Sequence, residues 1–411
     1  MSHRFKILHI ISSWASGVGD ELAEFSRRLA NKHDDGLNFD QKICVLADSA
    51  SKQTLHVPTN TLGLRWPYDP GTYLGVDRMI RQFRPDVVHT WDNTAQRYGV
   101  PHFGKQHIVA EKRPASADTR TQRPYIGFAD IDRKINSKTS RFIVPRSPYD
   151  CPDDCTKTIV IPPSAIPCSP QGGQAKPMSA EELLTKLNIP TAETLGEYYP
   201  VYQSQYEPER RSYRPTPTHT SPFLIGIVLP LGAEHRTLDA LWVCETLNHV
   251  HLNFHAFFIG DASRQRSDGV AQREEILRYR DRWKLFSRTH FLGNSPESRR
   301  LLPNFDILLH LSSSSEYSGV ILSAMSYGVP VIAVQTLESR EYISDGITGI
   351  LIPDGDYRFY RRTAAKRLLY LLENEELRHS MAFAAMEKVD RDYKFETAFQ
   401  RRVNVYRDIG I

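Results

Sequence analysis

Two loops in this 411-residue chain put small and polar side chains where an apolar run hands over to a helical pattern, a place suited to an anion. In the first, Ser12 to Gly19 follows the apolar run Phe5 to Ile11 and leads into a helix with Leu22, Phe25, Leu29 and Ala30 on one side. Gly17 and Gly19, with Val18 between them, let the backbone approach a bound group, and the helix end behind them favours a phosphate. The same glycines also describe a plain tight turn. In the second, Ser312 to Gly319 follows Ile307 to Leu311, carries Ser315, Glu316 and Ser318, and opens a helix. Unpaired N–H groups and the helix dipole favour negative charge there. Three further sets of groups sit at strand ends. His89 and Asp92 close the run Asp86 to Trp91, Glu111, Lys112 and Arg113 follow His107 to Ala110, and His235 with Arg236 follows Phe223 to Leu229. His89 reads either as a group facing a cleft or as a buried, hydrogen-bonded core histidine. Glu111 and Lys112 read either as groups near a reacting atom or as solvated loop charges.

The elements that must position these residues alternate between strand and helix. Val320, Leu322, Ala324 and Met325 supply the apolar surface of the helix after the second loop. Gly328 ends that helix in a left-handed turn, Pro330 forbids its continuation, and Val329 to Val334 is the next strand. Two strands joined through a helix make a parallel βαβ unit with a right-handed connection, and ligands of such units bind beyond the carboxyl ends of the strands. Further strands are expected at Gln41–Leu46, Phe142–Val144, Thr158–Ile161, His255–Ile259 and Thr289–Leu292. Helices are expected at Tyr73–Phe83, Leu238–Leu247 and Arg273–Leu285. Tyr357–Leu372, Glu375–Asp390 and Phe395–Tyr406 close the chain as helices, the last with Phe395, Phe399, Val403 and Tyr406 on one face.

The stretch from Asp306 to Asp354 resembles the group 1 retaining glycosyltransferases of the GT-B fold. Their signature is an aspartate-led strand, a Ser-x-x-Glu-Gly-Phe type loop, a Glu-Ala-Met helix, a Gly-x-Pro-Val-Ile strand and an Asp-Gly-x-x-Gly turn. Here it reads Asp306, Ser312 to Ser318, Ser323-Ala324-Met325, Gly328-Val329-Pro330-Val331-Ile332 and Asp345-Gly346-Ile347-Thr348-Gly349. The loop Gly17-Val18-Gly19-Asp20-Glu21 is similar to the family's N-terminal glycine loop. The departures lie at chemical positions. Ser315 and Ser323 stand where the family has two glutamates, with Glu316 one residue past the first. Pro230 replaces the diphosphate arginine, and His235-Arg236 replaces a Lys-Gly pair. Glu338 and Glu341 precede the Asp345 turn, and the family's glycines near Gln335 to Leu337 are absent.

Composition sets limits. With 40% hydrophobic and 24% charged residues the chain reads as soluble and globular, and no eighteen-residue apolar run offers a membrane span. Ile7 to Ile11 is too short for a signal-peptide core, so a cytoplasmic location is expected. A net charge of +4 does not suggest a nucleic-acid binder and is compatible with peripheral contact at an anionic membrane face. Cys151, Cys155 and Cys168 cluster without a fourth ligand, and His249, His251 and His255 without an acidic one, so no metal is expected. From Cys168 to Pro222 proline, glycine, serine, tyrosine and arginine dominate, and only Glu181 to Leu187 has helical periodicity. Tyr198, Tyr199, Tyr202, Tyr206 and Tyr213 with three nearby arginines either stack on a sugar or partner or pack the linker down.

The expected fold is α/β, with two Rossmann-like domains facing a cleft and a C-terminal helix crossing back to the first domain. Residues 1–167 form an acceptor-side domain, 168–222 a linker with an insertion, 223–394 a donor domain, and 395–411 the crossing helix. The resemblance implies transfer of a sugar from a UDP- or GDP-type nucleotide sugar to a carbohydrate or lipid-linked acceptor, with retention and with neither metal nor cofactor. By the same resemblance Glu316 holds the sugar, with His89 and Glu111 near the reaction. Ser323 meets the ribose, His235 and Arg236 the diphosphate, Gly17 to Gly19 close over the phosphates, and Ser315, Ser318, Gly319 and Val320 complete the binding set. The substitutions also leave open a weakened or inactive homologue that binds a nucleotide or a protein partner.

Overall fold

The computed structural model describes residues 4–14, 17–31, 38–47, 57–64, 69–99, 107–111, 141–144, 158–160, 180–187, 222–229, 231, 236–250, 253–260, 269–293, 301–313 and 319–408. Strand β1 (Arg4–Ile11), helix α1 (Gly17–Ala30), β2 (Asn38–Val45), β3 (Thr59–Thr61) and α2 (Pro70–Phe83) open the chain. They are followed by β4 (Val87–Thr90), α3 (Asn93–Gly99), β5 (His107–Glu111), β6 (Arg141–Val144) and β7 (Thr158–Val160). The strands form a parallel sheet of order β3-β2-β1-β4-β5-β6-β7. β1 and β4 are buried along most of both faces, so their sequences are mainly apolar and do not alternate, and His9, His89 and Thr90 within them are buried too.

The second sheet repeats the plan. Helix α4 (Ala180–Lys186) precedes β8 (Phe223–Val228), α5 (Thr237–His249), β9 (Phe254–Ile259), α6 (Gly269–Arg282) and β10 (Thr289–Gly293). Then come β11 (Ile307–His310), α7 (Gly319–Ser326), β12 (Val331–Val334), α8 (Leu337–Tyr342), β13 (Ile350–Ile352), α9 (Tyr357–Glu373) and α10 (Glu375–Asp392). The strand order is β10-β9-β8-β11-β12-β13, again parallel. In both sheets the order reverses beside the first strand, between β1 and β4 and between β8 and β11, and a ligand crevice forms at such a switch point. Asp86 and Asp306 do matching work at the far ends. Asp86 Oδ2 accepts from the Lys6 amide at 2.8 Å, and Asp306 Oδ2 from the Leu224 amide at 2.7 Å.

Each sheet is covered on both faces. Helices α5 and α9 share one core with Ile225, Phe254 and Leu309, and α7 and α10 share another with Leu224, Phe257 and Leu308. Leu183 and Leu184 of α4 are buried in that second core, so this helix belongs to the packing of the second sheet. The final described helix, α11 (Phe395–Asp408), buries Phe395, Phe399, Val403 and Tyr406 in one cluster with Ile7 of β1, Phe25 of α1 and Trp91 just after β4. It crosses back, and Arg402 donates to Glu21 at 2.7 Å with both side chains almost wholly buried. The described residues therefore form two α/β domains stitched by α11.

Candidate functional site

Helix α7 starts at Gly319, beyond the end of β11 at His310, and its Ile321, Leu322, Ala324 and Met325 bury against the sheet. Gly328 takes φ 69° after the helix, as the sequence requires. Ser323 is nearly buried, at 9% exposure, and its hydroxyl donates to the Gly319 carbonyl at 3.2 Å. Its proton is thus turned back onto its own helix, while its lone pairs stay available. Gly319 and Val320 are partly exposed at the helix start. Ser315, Glu316 and Ser318 lie outside the described residues, as does His235.

On the first sheet, α1 touches α7, so the two helices that follow the two anion-suited loops meet across the domains. The glycine loop itself is built for packing. A Cβ on Gly19 would stand 2.6 Å from the Trp14 carbonyl oxygen, so only glycine fits that close approach. The Val18 side chain is buried in the core, and Gly17 begins the helix. Glu21 is committed to Arg402.

His89 corrects the cleft-facing reading. It is fully buried, its Nδ1 lies 2.6 Å from the Tyr406 hydroxyl, and its ring stacks on Trp91 at 4.6 Å. Trp91 in turn donates through Nε1 to His9 Nδ1 at 3.1 Å. The strand is buried on both sides, so a histidine in its middle points into a core and not into solvent. Asp92 is structural as well, accepting from the Ser12 amide at 2.7 Å and capping α3 through the Ala95 amide at 2.7 Å. Glu111 ends β5, which places its backbone at the carboxyl edge of the first sheet.

Arg236 is the described cation of the second domain at this edge. It occupies the N-cap of α5 with φ 56° and ψ 36°, at the position where the resembled family has glycine. Its Nη2 donates to Asp354 Oδ1 at 2.7 Å, and its guanidinium lies 4.7 Å from the centre of the Tyr360 ring. Nη1 is buried and has no hydrogen-bond partner among the described residues. One turn on, Asp239 pairs with Arg361 of α9, and burial raises its pKa while Arg361 and Arg236 pull it back. The sequence reading missed Asp354, Tyr360 and Arg361 because they lie more than a hundred positions from their partners, with no local spacing to betray them.

The remaining motif residues are architectural. Gly346 has φ 75° and its amide donates to Gly349 O at 2.8 Å, while Thr348 Oγ1 accepts from the Ser344 amide at 2.8 Å. The Gln335 to Leu337 turn runs straight into α8, whose N-cap Thr336 and Ser339 cap one another. Glu338 in its first turn is buried. His255 and His290 pair on adjacent strands at 2.9 Å, and no group of three or more metal-ligating side chains occurs among the described residues. Cys44 and Cys244 are buried thiols whose pKa burial pushes up to about 12, and Cys151, Cys155 and Cys168 lie outside the described residues.

Residues 227–374 match the family described as Glycosyl transferases group 1. The matched stretch runs from the end of β8 through α9, so this part of the chain is similar to a group 1 glycosyltransferase domain. Among curated proteins, the chain is 32% identical over 122 residues to an N-acetyl-alpha-D-glucosaminyl L-malate synthase of Bacillus anthracis, covering 30% of this chain and 31% of that one. It is 21% identical over 286 residues to a trehalose synthase of Pyrococcus horikoshii, covering 69% and 60%. The match thus spans about a third of the first relative and about three fifths of the second. Among solved structures, Anabaena Alr3699/HepE in complex with UDP-glucose superposes with a TM-score of 0.69 at 16% identity, over 98% of this chain and 100% of that one. The fold is GT-B, two Rossmann-like domains with the last helix returning to the first. No described helix is long and apolar enough to cross a membrane.

Proposed function

We propose that this chain is a glycosyltransferase that takes a sugar from a nucleotide-diphosphate donor at the edge where α1 and α7 meet. The observation that carries the reading is that junction: two glycine-opened helices from different domains are brought together beside the switch points of both sheets. The neighbour solved with UDP-glucose favours a UDP-type donor. In this reading the leaving diphosphate gathers charge as the glycosidic bond breaks. The α7 amides, His235 and Arg236 neutralise it, and no metal or cofactor is required. Glu316 holds the sugar, Ser323 offers its lone pairs to the ribose, and the acceptor enters from the first domain beside Glu111. The anomeric configuration is retained.

A second reading, a nucleotide-binding homologue with little turnover, draws on Arg236. Its side chain is already held by Asp354 and Tyr360, and Ser323 is already bonded to its own helix. A thermal-shift screen against UDP, GDP, ADP and their sugar conjugates, with and without magnesium, followed by assay of sugar release, separates the two. Stabilisation by one nucleotide sugar with release of free sugar supports the transferase; stabilisation without release supports the binder. Arg236→Ala is expected to weaken UDP binding roughly ten- to a hundredfold, the loss of one charged hydrogen bond, and Arg273→Ala to leave it unchanged. Equal effects would remove Arg236 from the site.

A further inference from the structure

The inner face of α9 is accounted for by the core, where Tyr360, Ala364, Ala365, Leu368, Leu371 and Leu372 are buried. Its outer face is not what a solvated helix usually shows. Phe359 is 61% exposed and Tyr370 49% exposed. At about 100° per residue, Phe359, Lys366 and Tyr370 fall within about 40° of one another, with Arg362 on one flank and Arg367 on the other. Arg362, Lys366 and Arg367 are exposed and form no ion pair among the described residues. Arg361 is different, being spent on Asp239. The acids of the helix stand at its ends, Asp356 as N-cap and Glu373, at the far end of the stripe's own side, in the last turn.

We propose that this stripe docks the protein on an anionic phospholipid surface. The two aromatic rings enter the interfacial layer, where flat amphipathic rings settle, and the cations on either side of them meet headgroup phosphates. A nucleic acid fits less well. The whole chain carries a net charge of only +4, and the cations lie along both sides of one short helical stripe rather than lining a groove. The placement has a geometric consequence. Phe359 and Tyr360 are neighbours in the first turn of α9, one facing solvent and the other beneath the Arg236 guanidinium. Docking through Phe359 therefore sets the edge of the candidate site beside the lipid surface. The inference goes beyond the proposed function, since docking needs no turnover.

The test is co-sedimentation of the full chain with phosphatidylcholine vesicles and with vesicles that also contain phosphatidylglycerol, without any nucleotide sugar. Binding to the anionic vesicles alone is expected, falling as salt is raised from about 0.1 M to 1 M, where screening shortens to about 3 Å. Arg362→Gln with Arg367→Gln should weaken it about 25-fold, near fivefold for each cation. Phe359→Ala should weaken it at both salt levels. Arg273→Gln with Arg278→Gln removes the same charge from exposed positions on α6 and should change nothing. All these positions are solvent-exposed, so melting temperatures should stay level and confirm folding. Equal binding to neutral vesicles, equal loss in the α6 control, or equally tight binding of a DNA oligonucleotide would overturn the proposal.

Discussion

Arg236 pays for its place. A left-handed conformation costs a residue with a Cβ about 1–2 kcal/mol, and the bridge to half-exposed Asp354 is worth at most about 1 kcal/mol in return. Arg236→Gly should therefore unfold at higher denaturant than Arg236→Ala, by about 1 kcal/mol, since only glycine accepts φ 56° freely. The resemblance to a Lys-Gly pair made this position conspicuous in the sequence, but not where its side chain goes. His255 and His290 make a second residue-scale case. Burial lowers the first to about 4 and the second to about 3, each helped by a neighbouring positive charge. The unfolded chain takes up these protons near pH 6.5 and the folded one does not, so stability is full above pH 6.5 and falls as pH drops toward 4. Each group contributes a slope of up to about 1.4 kcal/mol per pH unit. Urea titrations at pH 7 and pH 5 should show that loss, and His290→Phe should make it smaller.

Among the elements, long apolar runs announced themselves and short or polar ones did not. β1, β4, β8, β9 and β11 lie within a residue or two of the sequence reading, because burial on both faces favours mainly apolar, non-alternating runs. β3 is Thr-Asn-Thr and fully exposed, so its membership of the sheet rests on backbone pairing with β2 alone. Helix α8 was read as part of a turn, its capping box using serine in place of the usual glutamate. The candidate site divides the same way. The loops and the α7 helix were visible as motifs, while the burial of His89 and Val18 depends on α11 and the opposite layer. Within β8, Gly226 is a packing requirement, since a Cβ there would lie 2.2 Å from the Phe305 ring. Gly226→Ala should cost about 1–3 kcal/mol in equilibrium unfolding, the usual penalty for overfilling a core. An unchanged midpoint would show that Phe305 swings aside freely.

At the scale of the molecule, the ion pair between Arg402 and Glu21 fixes the last helix to the first. Arg402→Met strips the cation from buried Glu21 and should destabilise the protein by about 3–5 kcal/mol, lowering its melting temperature. The double variant Glu21→Leu with Arg402→Met, which buries no charge, should recover most of that loss. If the double variant is as unstable as the single, packing of the helix rather than its charge holds the domains. The same crossing has a consequence for how the protein is made. His89 meets Tyr406 across a sequence separation of 317. At about 5–20 residues per second, a ribosome needs roughly 15–60 s between synthesising the two. Throughout that interval Phe25 and Trp91 lack the lid that α11 supplies, so the nascent first domain waits with an uncovered greasy groove until α11 has been made.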